Sequence, residues 1–117
     1  MRGTLCPSIA TTDKFATSET PAMLTSGIEA LLEIVAGCGA KYVFGNPGTT
    51  ELPLTDAMVG RSDLQYVLGL QEVPVMAMAD GYAQASRTPG VVNLHICCGL
   101  GNAMGMLCNA YREGTPL

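Results

Sequence analysis

The sequence predicts an α/β fold, a three-layer doubly wound parallel sheet with helices on both faces. Short β-rich runs recur at residues 41–44, 65–70 and 91–96. The stretches between them carry helical periodicity, and Gly and Pro punctuate the joints. Strands and helices alternating at this spacing call for right-handed crossovers, and right-handed crossovers give parallel pairing.

Residues 1–22 are rich in Thr and Ser, lack periodicity and carry Pro7 and Pro21, so a flexible leader is expected, with the folded domain spanning 23–117. Ser26 and Glu29 form an S-x-x-E capping box. Ile28, Leu31, Leu32 and Val35 then fall on one helical stripe, and Gly37 and Gly39 mark the helix end. The run at 41–44 is stopped by GNPG at 45–48. Thr49 or Thr50 is expected to cap the next helix, Glu51 suits the positive end of its dipole, and Pro53 is tolerated in its first turn.

The cadence repeats with a strand over 65–70 and a helix over 72–86, in which Val75, Met78, Ala79 and Tyr82 share a face. After a turn at 87–90 comes the third strand, 91–96. GLGN at 99–102 is expected to lead into a last helix ending near 112, with a fourth strand opening at 114–117. In such sheets ligands sit at the carboxyl ends of the strands. The candidate site is therefore the set of turns at 45–50, 70–72 and 95–102.

At 117 residues the chain makes one domain at most. Hydrophobic residues are 48% and charged residues only 14%, so the polar surface is thin and part of the apolar surface is expected to meet another chain, as in a homo-oligomer. A net charge of -4 with six unclustered Lys and Arg argues against nucleic acid and against an anionic membrane surface as partners. The cysteines Cys6, Cys38, Cys97, Cys98 and Cys108 form no C-x-x-C pair and have a single histidine for company, so no metal site is expected. The start of the chain has no basic region followed by an unbroken apolar run, which suggests a cytoplasmic protein with reduced thiols.

Three segments read together add a resemblance. They are VFGNPGTTELP at 43–53, LQE at 70–72 with ADGYAQA at 79–85, and NLH at 93–95 with GLGNAMG at 99–105. In this order they resemble the N-terminal pyrimidine-binding domain of thiamine-diphosphate (ThDP) enzymes of the benzoylformate decarboxylase and acetolactate synthase group, the decarboxylase branch above all. The likeness spans residues 24–117. It implies ThDP as cofactor, a 2-oxo acid as small-molecule substrate, and a decarboxylase, lyase or acetolactate synthase-like activity. In the family Mg²⁺ and the diphosphate are held by a C-terminal domain with a G-D-G…N-N motif. That motif is missing here, so the pyrimidine domain reads as incomplete, inactive alone, and in need of a diphosphate-binding domain or subunit in trans. Two alternatives stand beside this reading: the small subunit of a two-chain decarboxylase, and a non-catalytic interaction remnant of the same fold.

The resemblance assigns Glu72 and His95 as catalytic. Glu72 would hydrogen-bond the aminopyrimidine ring nitrogen and so assist loss of the thiazolium proton. From the residues themselves, Glu72 follows an apolar strand at a helix start, where burial is expected to raise its pKa; the plain alternative is an acid stabilising a helix dipole. His95 would pass protons on the substrate side, against the alternative of a hydrogen-bonded core histidine. Acetolactate synthases generally lack a histidine in this segment. Asn46, Pro47, Gly48, Thr49, Gly99 and Asn102, together with Glu72, are the expected cofactor-binding residues. Thr49 stands where the decarboxylase branch has a serine, adding a methyl group that bears on substrate size. GLGNAMG at 99–105 also matches a G-x-G-x-x-x-G dinucleotide loop, although such loops usually open the first strand–helix pair rather than the third. Cys97 and Cys98 read as small apolar packing residues, and the methionines as core or interface packing.

Overall fold

The computed structural model describes residues 26–117, so the leader expected at 1–22 and the domain start at 23 lie outside the described residues. Helix α1 spans Gly27–Gly37. Its capping box closes in both directions: the Ser26 hydroxyl accepts the Glu29 N–H at 3.1 Å, and the Glu29 carboxylate accepts the Ser26 N–H at 2.7 Å. Leu32 is buried while Leu31 is 51% exposed, so the stripe that meets the core is Ile28, Leu32, Val35 and Ala36, rotated slightly from the expected one.

Strand β1, Tyr42–Asn46, continues two residues beyond the expected stop at 44. It pairs in parallel with β2, Gln65–Leu68, on one edge and with β3, Val91–Leu94, on the other, giving the order β2–β1–β3. Side chains alternate across the pleat. Val43 faces a cluster with Leu32, Ala40, Met58 and Leu64 beneath α1 and α2 (Leu52–Ala57), while Phe44 faces Val75 and Ala79 of α3 (Glu72–Ser86). Helices thus cover both faces. Helix α4, Ile96–Glu113, packs chiefly on α3, where buried Ala79, Ala83, Gly99, Ala103 and Ala110 keep the bulk between the helices small.

Several expected boundaries move. Strand β2 stops at Leu68: Gly69 N–H still donates to the Gly45 carbonyl at 2.8 Å, but Leu70 is 91% exposed and has left the sheet. Strand β3 stops at Leu94 because Ile96, with φ 48°, turns out of the extended region, making His95 the N-cap of α4. Residues 99–102 therefore lie inside α4, not in a loop before it. Neither Thr49 nor Thr50 acts as a helix cap after β1; the chain passes through a 3-10 turn, Thr49–Glu51, with Gly48 at its N-cap position. On α3, Met78 is 37% exposed and Met76 is the methionine in the core. Residues 115–117 form no strand, although the Pro116 carbonyl accepts the Gly90 N–H at 2.9 Å.

The order β2–β1–β3 has a positional consequence. The chain moves one way from β1 to β2 and returns past β1 to reach β3, so right-handed crossovers put the two connections on opposite faces. A crevice is left at the carboxyl ends of β1 and β3, the switch point where ligands bind in open α/β sheets. Leu32→Ala, which opens a cavity under α1, should cost about 2–5 kcal/mol in equilibrium denaturation. Leu31→Ala should cost less than about 1 kcal/mol, and equal costs would mean that α1 is rotated from this register.

Candidate functional site at the switch point

Three turns meet at the ends of β1, β2 and β3, and a carboxylate stands at the centre of each of two hydrogen-bond clusters. Glu72 is the first residue of α3, half-buried, one position after Gln71, whose side chain caps the helix by accepting the Val73 N–H at 3.0 Å. Its Oε1 accepts from Asn46 Nδ2 at 3.3 Å and its Oε2 from Asn102 Nδ2 at 3.2 Å. The last residue of β1 and the second turn of α4 are thereby tied to the start of α3. Gly99 faces this group: a Cβ there would stand 3.4 Å from the Glu72 carboxylate, ordinary contact with no room beyond it.

Burial at a helix start is expected to raise the Glu72 pKa; the structure reverses the direction. Its own backbone N–H at the helix start, then the Asn102 amide, outweigh desolvation, with smaller contributions from Asn46 and from the charge of His95, and the carboxyl sits below its ordinary range. A helix N-terminus and two amide donors all favour the ionised form. Asn46 and Asn102 each take one oxygen and the backbone N–H of Glu72 is a third donor, out of about four acceptor sites on a carboxylate, so the group can accept a further donor from the crevice.

The second cluster has no local signature in the sequence. Glu51 Oε2 accepts the Gly48 N–H at 2.8 Å and lies 2.9 Å from His95 Nδ1. The His95 side chain is 34% exposed, so it is not a core histidine. Its imidazole lies flat against Gly48, where any Cβ would collide with the ring, and glycine is required for that approach. Desolvation pushes the Glu51 carboxyl up, but the His95 ring and the Gly48 N–H together hold it below its usual range. Behind it the Tyr66 hydroxyl donates to Asn93 Oδ1 at 2.8 Å, and desolvation, with the nearby Glu51 charge, pushes the phenol up to about 12. Tyr66 fills the space above Gly45, which likewise has no room for a Cβ.

Of the residues expected from sequence, Asn46, Glu72, Gly99 and Asn102 form one cluster, and Gly48 and His95 belong to the other. Pro47 lies in the turn between them, half-buried, and Thr49 is exposed at the start of the 3-10 turn. Sequence reasoning misses Glu51, Tyr66 and Asn93. Glu51 has a plausible local role at a helix start, and nothing local points across 44 positions to His95. The position of residues 99–105 inside α4 removes the dinucleotide-loop reading, since such a loop must precede its helix to present free N–H groups to phosphate. Among the described residues no group of three or more His, Cys, Asp or Glu could hold a metal ion, and no helix is long and apolar enough to cross a membrane.

A parallel α/β layer with an amide-held carboxylate at its switch point is the class of protein that fold and site define. The profile described as "Thiamine pyrophosphate enzyme, N-terminal TPP binding domain" matches residues 25–117, and the chain belongs to that family. It is 48% identical over 88 residues to benzoylformate decarboxylase of Pseudomonas aeruginosa, covering 75% of this chain and 16% of that one. It is 34% identical over 93 residues to the acetolactate synthase large subunit of Lactococcus lactis, covering 80% and 16%. Among solved structures, the thiamine diphosphate-dependent 4-hydroxybenzoylformate decarboxylase of Rhodococcus jostii superposes with a TM-score of 0.72 at 44% identity over 77% of this chain and 17% of that one. The chain thus spans about a sixth of the length of these relatives.

The depressed carboxylates set the sign of the acid response. In the folded chain Glu51 and Glu72 lie below the ordinary value of 4.5, so the unfolded chain binds more protons in acid. The stability they contribute is complete above that value and is lost as pH falls through the folded values. The denaturation midpoint should fall between about pH 6 and about pH 3, and Glu51→Gln should differ from the unsubstituted chain most at the higher pH. A difference that grows in acid would contradict the assignment.

Proposed function

We propose that this chain supplies the pyrimidine-binding part of a ThDP-dependent 2-oxo-acid decarboxylase or lyase, with Glu72 as the group that engages the cofactor's aminopyrimidine and His95 as the proton-transfer group on the substrate side. The observation that carries the reading is the Glu72 carboxylate at the switch point, oriented by two side-chain amides, with its own backbone N–H and those amides holding its pKa below the ordinary range. The residues suit the cofactor. A carboxylate kept ionised favours a protonated ring nitrogen facing it, and Asn46 and Asn102 hold that carboxylate without neutralising it. When bound, ThDP supplies the electron sink for loss of carbon dioxide from a 2-oxo acid. Glu72 would hold the proton at the pyrimidine nitrogen, while Gly48 gives the His95 ring its place against the turn.

His95 stands at the lip of the same crevice, partly exposed, with Nδ1 engaged and Nε2 on the other side of the ring. A neutral imidazole has one nitrogen that donates and one that accepts, the pair of functions a proton-transfer group needs. A decarboxylase-like substrate is favoured by the 48% identity to a benzoylformate decarboxylase, and the methyl group of exposed Thr49 would narrow the space next to the substrate. Mg²⁺ and the diphosphate we assign to a domain or subunit outside this sequence. The exposed stripe Ile96, Leu100, Met104 and Tyr111 along α4 supports assembly with a further copy or subunit, and we take the assembled protein to be cytoplasmic.

The experiment separates the two residues by step. In an assembly that joins this chain to a diphosphate-binding domain, Glu72→Gln should slow hydrogen–deuterium exchange at the thiazolium carbon, followed by NMR, by about two orders of magnitude or more. Exchange at the original rate removes Glu72 from cofactor activation. His95→Ala should leave that exchange nearly unchanged and lower turnover of a 2-oxo acid about a hundredfold or more. Normal turnover per folded site would make His95 a structural residue.

A further inference from the structure

We propose that Glu51 is a positioning residue that selects the tautomer and the orientation of His95. The inference rests on the substrate-side role given to His95 above and extends it to a residue 44 positions away in sequence.

Glu51 Oε2 lies 2.9 Å from His95 Nδ1 and takes the Gly48 N–H at 2.8 Å, so one oxygen serves both the turn after β1 and the start of α4. The carboxylate side chain is 12% exposed, which limits competition from water and fixes where the ring must present its donor. An ionised carboxylate can only accept. The proton of a neutral His95 must then sit on Nδ1, leaving Nε2 as a bare acceptor, the opposite of the preference of a free histidine side chain. The ring cannot rotate inward, because it already lies against Gly48. The hydroxyl next to the pair fits this division: Tyr66 gives its proton to Asn93 and not to the dyad. The 3-10 turn that carries Glu51 is held by the same oxygen through Gly48, so loss of the acid would free the turn as well as the ring.

His95 is the chain's single histidine, so its ring nitrogens can be followed by nitrogen NMR in an isotope-labelled sample of the full chain. The neutral ring should carry its proton on Nδ1. In Glu51→Gln the ratio of the Nδ1–H to the Nε2–H form should fall roughly tenfold or more, the scale of a hydrogen bond to a charged group, with backbone amide shifts of α3 showing that the fold persists. An Nε2–H tautomer in the unsubstituted chain overturns the proposal without any variant being needed, and so does an unchanged ratio in folded Glu51→Gln. In the assembled enzyme Glu51→Gln should lower 2-oxo-acid turnover while thiazolium exchange keeps its rate; loss of exchange instead would place Glu51 on the cofactor side and overturn it. The two failures are distinguishable. Normal turnover of His95→Ala sinks the substrate-side reading, whereas the NMR result tests tautomer selection independently of that reading.

Discussion

Strand β1 carries hydrogen-bonded neighbours on both edges and packed side chains on both faces, and the position of everything else depends on it. Val43, Phe44 and Gly45 are all buried, and β1 pairs through Gly45 with Leu68 on one side and Asn93 on the other. A parallel sheet must bury both faces, because each crossover helix lies on one of them. Once β1 is central, Asn46 at its end is placed beside the exits of β2 and β3, and the turns beyond them converge. A one-residue slip would exchange Val43 and Phe44 between their two clusters and expose the wrong side chain on each face. The register that builds the core is therefore the same register that brings Glu51, Glu72 and His95 within reach.

The two carboxylates divide the crevice. Glu72 sits at the start of a long helix and takes two amide donors; Glu51 sits in a 3-10 turn and takes a backbone N–H and an imidazole. Both are held ionised, yet by different donors, and the consequences differ. Amides neither gain nor lose protons near neutral pH, so Glu72 keeps its charge for whatever occupies the crevice. Glu51 instead shares one oxygen between a backbone N–H and the His95 ring, so its charge faces that ring. The separation depends on Gly48, which lets the ring come down onto the turn, whereas a Cβ at Gly99 would make only ordinary contact with Glu72.

Ile96 is the point of strain in this arrangement. At φ 48° a β-branched side chain occupies the left-handed region, at a cost of order 1–3 kcal/mol. It stands between the end of β3 and the body of α4, directly after His95. The abrupt turn from strand to helix brings Asn102 back within reach of Glu72 in the second turn of α4, and the helix then lies along α3. Such a conformation persists only where the surroundings hold it; here the flanking holds are the His95–Glu51 contact on one side and the α3–α4 packing on the other.

By itself the sequence determined the kind and order of the elements. Ser26 and Glu29 announced α1, the β-rich runs announced three strands, and Glu72–Ser86 was bounded correctly as α3, since capping, periodicity and turn chemistry are local signals carried by neighbouring residues. It also carried the family motifs, with Glu72, His95, Asn46 and Asn102 among them. Tertiary structure alone decided how these residues act. The order β2–β1–β3 cannot be read from any window of the chain, and it is this order that sets Glu51 against His95 and Tyr66 against Asn93. The downward shift of Glu72 starts from its own backbone N–H at the helix start, but the Asn102 amide from 30 positions later and, to a smaller extent, the Asn46 amide from 26 positions earlier add to it only in the folded chain, and the end of β3 was set by a strained residue that propensity would have kept in the strand. Periodicity reports which side of an element is buried; which partner waits there is a property of the assembled sheet.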